Sequence, residues 1–187
     1  MATVESGDSS SGDAFVSIGS GAMQVYDANA AGALSGIISA ILGKQARVIA
    51  GDWRGVQYWV DAAEGGAGSS PVWIFDPSTM GNDKTVDLAS FVRLLPSEAM
   101  LDAVDTSSFN AWLSSNGRAS IGESECVPVN PPQLVSGLEN PIDRANYTVS
   151  TAEYLIYCAK ALRVMKDLGL RSGDPIPDNF GELVSAV

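Results

Sequence analysis

The runs Arg47-Val48-Ile49-Ala50, Gly51-Asp52-Trp53-Arg54-Gly55, Val56-Gln57-Tyr58-Trp59-Val60-Asp61 and Trp73-Ile74-Phe75-Asp76-Pro77 decide the fold. The apolar stretches are short, rich in β-branched and aromatic residues, and bounded by Gly, Asp or Pro. That punctuation marks successive strands of an antiparallel sheet, with a meander as the simplest connection. Strands are therefore predicted over 47–50, 56–60 and 72–75. The stretch Asp76 to Asp83 supplies turn chemistry, after which Thr85-Val86-Asp87-Leu88 is predicted as a last strand of the same sheet. Alternation along the second strand sends Val56, Tyr58 and Val60 to one face and Gln57 and Trp59 to the other. If helices cover both faces, both aromatics are core; if not, one of them is free to anchor a partner.

Helical periodicity flanks this sheet. Upstream, Ala33, Leu34, Ile37, Ile38, Ile41 and Leu42 follow the i, i+3, i+4, i+7 pattern, predicting a helix from Asn29, as N-cap, to Leu42, with Gly43 just past its end. Downstream, short helical pieces are predicted over 91–95, 97–104 and 107–115, the first interrupted by Pro96 and the last ending at Asn116-Gly117. Residues 117–146 show little periodicity and read as a long ordered connection with a strand near Cys126 to Val129. A long C-terminal helix follows. Ser150 and Glu153 have capping-box spacing, and Tyr154, Leu155, Tyr157, Cys158, Ala161, Leu162, Met165 and Leu168 form its apolar stripe before Gly169.

The predicted fold class is α+β, a twisted antiparallel sheet of about four to six strands packed with helices, including that long amphipathic C-terminal one. The expected organisation is an acidic, Ser/Gly-rich disordered tail over 1–14, a single domain over 15–172 with a sheet-bearing part (15–95) and a helical part (96–172), and a C-terminal tail over 173–187. A chain of 187 residues is long enough to bury roughly 70% of its unfolded surface.

Composition narrows the function classes. Eleven basic residues against 22 acidic ones give a formal net charge of −11. A field of that sign repels nucleic-acid phosphates and anionic membranes and steers basic partners to the surface. No direct nucleic-acid or membrane partner is expected. The N-terminus lacks a basic stretch followed by an apolar one, and no apolar run reaches the ~20 residues of a membrane helix. A soluble protein of a bacterial cytoplasm is expected.

The chain contains no histidine, which removes the commonest general base and transition-metal ligand. Its two cysteines, Cys126 and Cys158, lack any Cys-x-x-Cys spacing, so packed thiols are expected. No cofactor or metal is expected: Gly36 and Gly43-Lys44 are too widely spaced for a phosphate loop, and the Asp76 to Asp83 loop lacks the pattern of a calcium-binding loop. Paired carboxylates are the remaining catalytic equipment, with Asp52, Asp61, Asp76 and Asp83 as candidates. Each is equally explained as a turn residue bonding its own backbone.

The turn Gly51-Asp52-Trp53-Arg54-Gly55 with its following strand, the upstream Gly21-Ala22-Met23-Gln24-Val25-Tyr26, and the downstream Cys126-Val127-Pro128-Val129 with Gly137, Asn146 and Tyr154 together resemble the GAD-related immunity proteins of type VI secretion, including the Tdi-type partners of DNase effectors. The resemblance covers about Phe15 to Met165. It implies a non-enzymatic protein that binds and neutralises a cognate effector toxin, a DNase among the expected targets. On that basis Asp52, Trp53 and Gly55 are the first candidates for the toxin contact, with Asp61, Glu64, Asp76 and Asp83 as nearby acidic ones. The alternatives are a carboxylate-dependent hydrolase reversing a toxin's modification and a non-catalytic scaffold subunit; the oligomeric state stays open.

Overall fold

A computed structural model describes residues 14–64, 68–140 and 142–187. The N-terminal tail expected from composition lies, Ala14 apart, outside the described residues.

The chain begins with the hairpin β1 (Val16–Ile18) and β2 (Met23–Val25), followed by α1 (Ala28–Leu42). Then come β3 (Ala46–Asp52), β4 (Gln57–Asp61), β5 (Pro71–Asp76) and β6 (Gly81–Asp87). These six strands form one antiparallel sheet in the order β1-β2-β3-β4-β5-β6, so every neighbour in space is a neighbour in sequence. The fold is α+β and the sheet a meander, as the strand punctuation predicts. Two details differ. The first hairpin was not predicted, because three-residue strands are too short to show a period. The last strand starts at Gly81 and not Thr85: only residues 77–80 turn, and Asn82 and Asp83 lie in the strand.

Three short helices follow the sheet: α2 (Leu88–Leu94), α3 (Glu98–Ala103) and α4 (Thr106–Ser115). A two-stranded ladder pairs β7 (Glu125–Cys126) with β8 (Val149–Ser150), and between them lies the single-turn helix α5 (Gln133–Ser136). The long helix α6 (Thr151–Asp167) comes next, and α7 (Phe180–Ala186) ends the chain. The C-terminal stretch predicted as a tail thus contains a helix, which seats Phe180 and Val184 against the α6 face. No helix among the described residues is long and apolar enough to cross a membrane.

The sheet is covered on both faces, which settles where the aromatics of β4 go. Tyr58, Val56 and Val60 pack with Phe91, Met100, Val104 and Phe109 of the α2–α4 layer. Trp59 packs on the other side with Leu34 and Ile38 of α1 and Leu155 of α6. Both Tyr58 and Trp59 are buried, and the Trp59 indole donates to Asn82 Oδ1 at 3.0 Å. Burying a side chain of Leu or Phe size contributes ~1.5–3 kcal/mol, so the two apolar faces of this sheet dominate its stability.

Helix ends follow local chemistry, with corrections. Asp27, not Asn29, caps α1, its carboxylate accepting from Ala30 N at 2.8 Å, while Gly43 closes the helix in the left-handed region at φ 64°. Ser150 precedes α6 without a side-chain capping bond despite its spacing to Glu153. On α6 the buried stripe runs through Tyr154, Leu155, Cys158, Ala161, Val164 and Met165, and Leu168 is exposed.

Asp87 and Asp105 cap α2 and α4 by accepting from Ser90 N and Ser108 N. The Ser90 backbone and hydroxyl bonds hold the Asp87 carboxyl below its ordinary value, and the Ser108 bonds do the same for Asp105. A depressed folded-state value contributes stability that is present above the unfolded value, about 3.9, and is lost as pH falls through the folded value. Asp87→Ala is therefore expected to melt below the wild type at neutral pH. The gap should close as the pH is taken well below 4. Thermal melts across that range check this, and a gap independent of pH would exclude the charged cap as its source.

Candidate functional site

The turn that joins β3 to β4 is built around Asp52. Its Oδ1 accepts from Arg54 N at 2.9 Å and Val56 N at 3.3 Å, and its Oδ2 accepts from Arg54 Nε at 2.9 Å and Nη2 at 2.5 Å. Gly55 closes the turn at φ 86°, donating its N–H to Asp52 O. A β-carbon on Gly55 would lie 2.8 Å from Tyr154 Cδ1 and 3.2 Å from Cys126 Sγ, so the turn is pressed against the start of α6.

Solvent does not reach Asp52, which is 1% exposed. Burial pushes its carboxyl above the ordinary value, and the Arg54 guanidinium works against that shift. Trp53 is equally interior: its indole N–H donates to Val104 O at 2.6 Å, its ring lies 5.2 Å from that of Phe109, and the Arg144 guanidinium sits 4.6 Å above it. Its backbone ties three segments together, donating to Ala22 O and accepting from Val127 N. Asp52, Trp53 and Gly55, singled out from the sequence as contact residues, are thus internal and hold the β3–β4 turn; they present no surface to a partner. Their motif reads as a contact site in sequence because Asp, Trp and Gly are common both in turns and at interfaces.

Arg54 leads from this interior to a cleft of about 480 Å³ on the α2–α4 face of the sheet. Tyr58 of β4, Asp76 of β5, Asp83 of β6, Met100 of α3 and Arg144 line it with Arg54. Strand register explains the grouping: Tyr58 lies opposite Ile74, Ile74 opposite Asp83, and Asp76 opposite Gly81. The sheet thereby brings Asp76 and Asp83 together beside Arg54. It places Asp61 at the other end of β4, opposite Ala46 of β3, with exposed Glu64 in the turn beyond it. Asp61 and Glu64 do not share the cleft.

Asp76 Oδ1 accepts from Ser78 N at 2.8 Å, and Asp61 Oδ1 from Ala63 N at 2.9 Å, so both also act as turn residues. Burial pushes the Tyr58 hydroxyl up, aided by the Asp52 charge. Burial pulls the Arg144 guanidinium below its ordinary value; it donates to Val127 O at 3.1 Å, and among the described residues no carboxylate oxygen lies within 4.0 Å of it. Arg144 was not found from sequence, because only the Val129–Arg144 bridge returns the 128–145 loop to the Trp53 ring.

Both cysteines are free and buried. Burial pushes the Cys126 thiol up to about 12, so it stays protonated at neutral pH and is a poor nucleophile. No group of three or more Cys, Asp or Glu arranged to hold a metal occurs among the described residues.

Among the described residues Asp52 is the one buried carboxylate. Of the others, Glu125 lies 3.9 Å from Arg118 and Asp167 3.9 Å from Arg163, and no further acid there meets a basic nitrogen within 4.0 Å. Glu98 and Asp102 lie four apart and exposed on α3, the helix whose Met100 and Ala103 line the cleft. Sequence reasoning passed over this pair, although its i, i+4 spacing was legible.

Comparison of the chain with protein-family models, with curated proteins and with solved structures finds no match.

Proposed function

We propose that this protein is an immunity protein that binds a cognate antibacterial effector toxin, a basic nuclease delivered by type VI or a related secretion route, and neutralises it without catalysis. The observation that carries this reading is the population of surface carboxylates without ion-pair partners, on a chain of net charge −11. Unpaired surface acids speed encounter with a basic partner, and they occupy the cationic groups with which a nuclease recognises phosphate. Asp76 and Asp83 line the cleft, and Glu98 and Asp102 are exposed on α3, which supplies part of its wall. The sequence resemblance to the GAD-related immunity proteins supports the same role.

A hydrolase working through Asp52 needs that carboxylate to reach a substrate, and Asp52 accepts four hydrogen bonds in the interior instead. That arrangement favours a structural Asp52.

Co-expression with the product of the adjacent gene, followed by size-exclusion chromatography and a nuclease assay, tests the proposal. The expected result is one stable complex with suppressed nuclease activity. Combined Asp83→Lys, Glu98→Lys and Asp102→Lys substitutions should slow association at least tenfold at low salt, with the difference shrinking as ionic strength rises. Separate elution with unaffected nuclease activity would remove that partner, and turnover abolished by Asp76→Asn in a folded protein would establish an enzyme instead.

A further inference from the structure

A second depression, of about 270 Å³, lies away from the cleft, where the segment Pro128 to Asn130 passes the first two turns of α6. Three of the chain's five tyrosines line it, Tyr147, Tyr154 and Tyr157, together with Val149 and Glu153. Among the described residues, no basic one lines it. Arg144, from the same loop, lines the other cleft and is stacked on Trp53. The Tyr154 hydroxyl accepts from Val129 N at 3.2 Å, and Asn130 Nδ2 donates to the Tyr147 hydroxyl at 3.4 Å, so two of the rings are held from the Val129–Asn130 side.

Three tyrosines and one acidic residue around a space of this size are complementary to an organic cation. We infer that this depression receives an arginine side chain of the basic partner, its guanidinium lying against the tyrosine rings and paired with Glu153. The inference rests on the proposed function in one respect: the arginine is assigned to the toxin. Guanidinium suits the site better than ammonium, because it is planar, stacks on aromatic faces and meets a carboxylate with two parallel hydrogen bonds.

The start of α6 carries a partial positive charge that opposes a cation. Glu153, in the first helical turn, offsets it, and Thr151 N is already engaged with Ser124 O. The surroundings also look like an interface. Glu153 and Tyr157 are shared with a neighbouring depression between α6 and α7, lined by Ile156 and Val184. Tyr147 and Ile156 are 45% and 43% exposed, large apolar groups flanking a charged pocket. A buried anchor within a partly apolar rim is the arrangement in which one side chain dominates binding.

The test uses the full chain, isotope-labelled, titrated with Nα-acetyl-arginine methylamide and followed by two-dimensional NMR. Saturable shifts confined to Tyr147, Tyr154, Tyr157 and their neighbours are expected, with a Kd in the millimolar range for an isolated side chain. The neutral isostere, Nα-acetyl-citrulline methylamide, should leave these signals in place. Glu153→Gln and Tyr147→Ala, both at exposed positions, should weaken arginine binding roughly three- to tenfold with the melting temperature unchanged. Equal shifts with citrulline, or no localised shift at tens of millimolar arginine, would overturn the inference. Because no toxin is present, that failure leaves the immunity reading to its own co-expression test.

Discussion

Trp53→Ala is expected to lower the free energy of unfolding by about 3–5 kcal/mol, the range for removing a large aromatic from a packed core. Trp53 is 1% exposed and sits where the hairpin turn meets α4 and the loop that carries Arg144. Alanine deletes the contact with the Phe109 ring, leaves Val104 O without its donor, and exposes one side of the Arg144 guanidinium to an empty space. Neighbouring segments cannot collapse into the gap, because the Trp53 backbone is tied to Ala22 O and Val127 N across three segments. Trp53→Phe separates the terms: it keeps most of the ring packing and forfeits the bond to Val104 O, at about 1–3 kcal/mol for an orphaned buried acceptor. Urea unfolding measures both. A loss under about 1 kcal/mol for alanine would show that Trp53 is not a core residue.

Asp52→Ala ranks next, with an expected loss of about 3 kcal/mol, the lower end of the range for breaking a buried ion pair. The lower end applies because Arg54 keeps a quarter of its side chain in solvent and is free to turn toward the cleft, whereas Asp52 has none exposed. Alanine also removes the acceptor for Arg54 N and Val56 N, so the β3–β4 turn loses its internal bonds as well as its charge pair. Asp52→Asn keeps an oxygen for those amides and should cost less. In a double-mutant cycle, Asp52→Ala with Arg54→Met should be less destabilised than the two single losses added, since neither charge is then left alone. Strict additivity in urea unfolding would mean the pair does not couple.

Much of the architecture was legible without coordinates, for a local reason. A strand declares itself through neighbours two apart and a helix through neighbours three and four apart, so 47–50, 56–60, 72–75, the helix ending at Gly43 and the long helix after Ser150 all show in the sequence. What failed was short or non-local. The strands Val16–Ile18, Met23–Val25 and Val149–Ser150 span too few residues to show a period, and Gln133–Ser136 is a single turn between prolines and glycine. The turn residues Asn82 and Asp83 became strand because β5 offers them partners, which local propensity does not see.

The sequence by itself determined the sheet-and-helix class, the two-faced pattern of β4, the missing histidine chemistry and the strong negative charge. Tertiary structure alone decided which acids are surface and which is interior. Asp52 and Asp83 are the same residue type in similar polar turns of sequence. Asp52 is buried because Tyr154 and Cys126 close on the turn at Gly55 and Val127 bonds to Trp53, contacts made across some seventy to a hundred residues of chain. Asp83 is exposed on β6, the last strand of the sheet among the described residues, where it lines the open cleft. Burial depends on which distant segments arrive, and that is a property of the packed molecule that no local pattern carries.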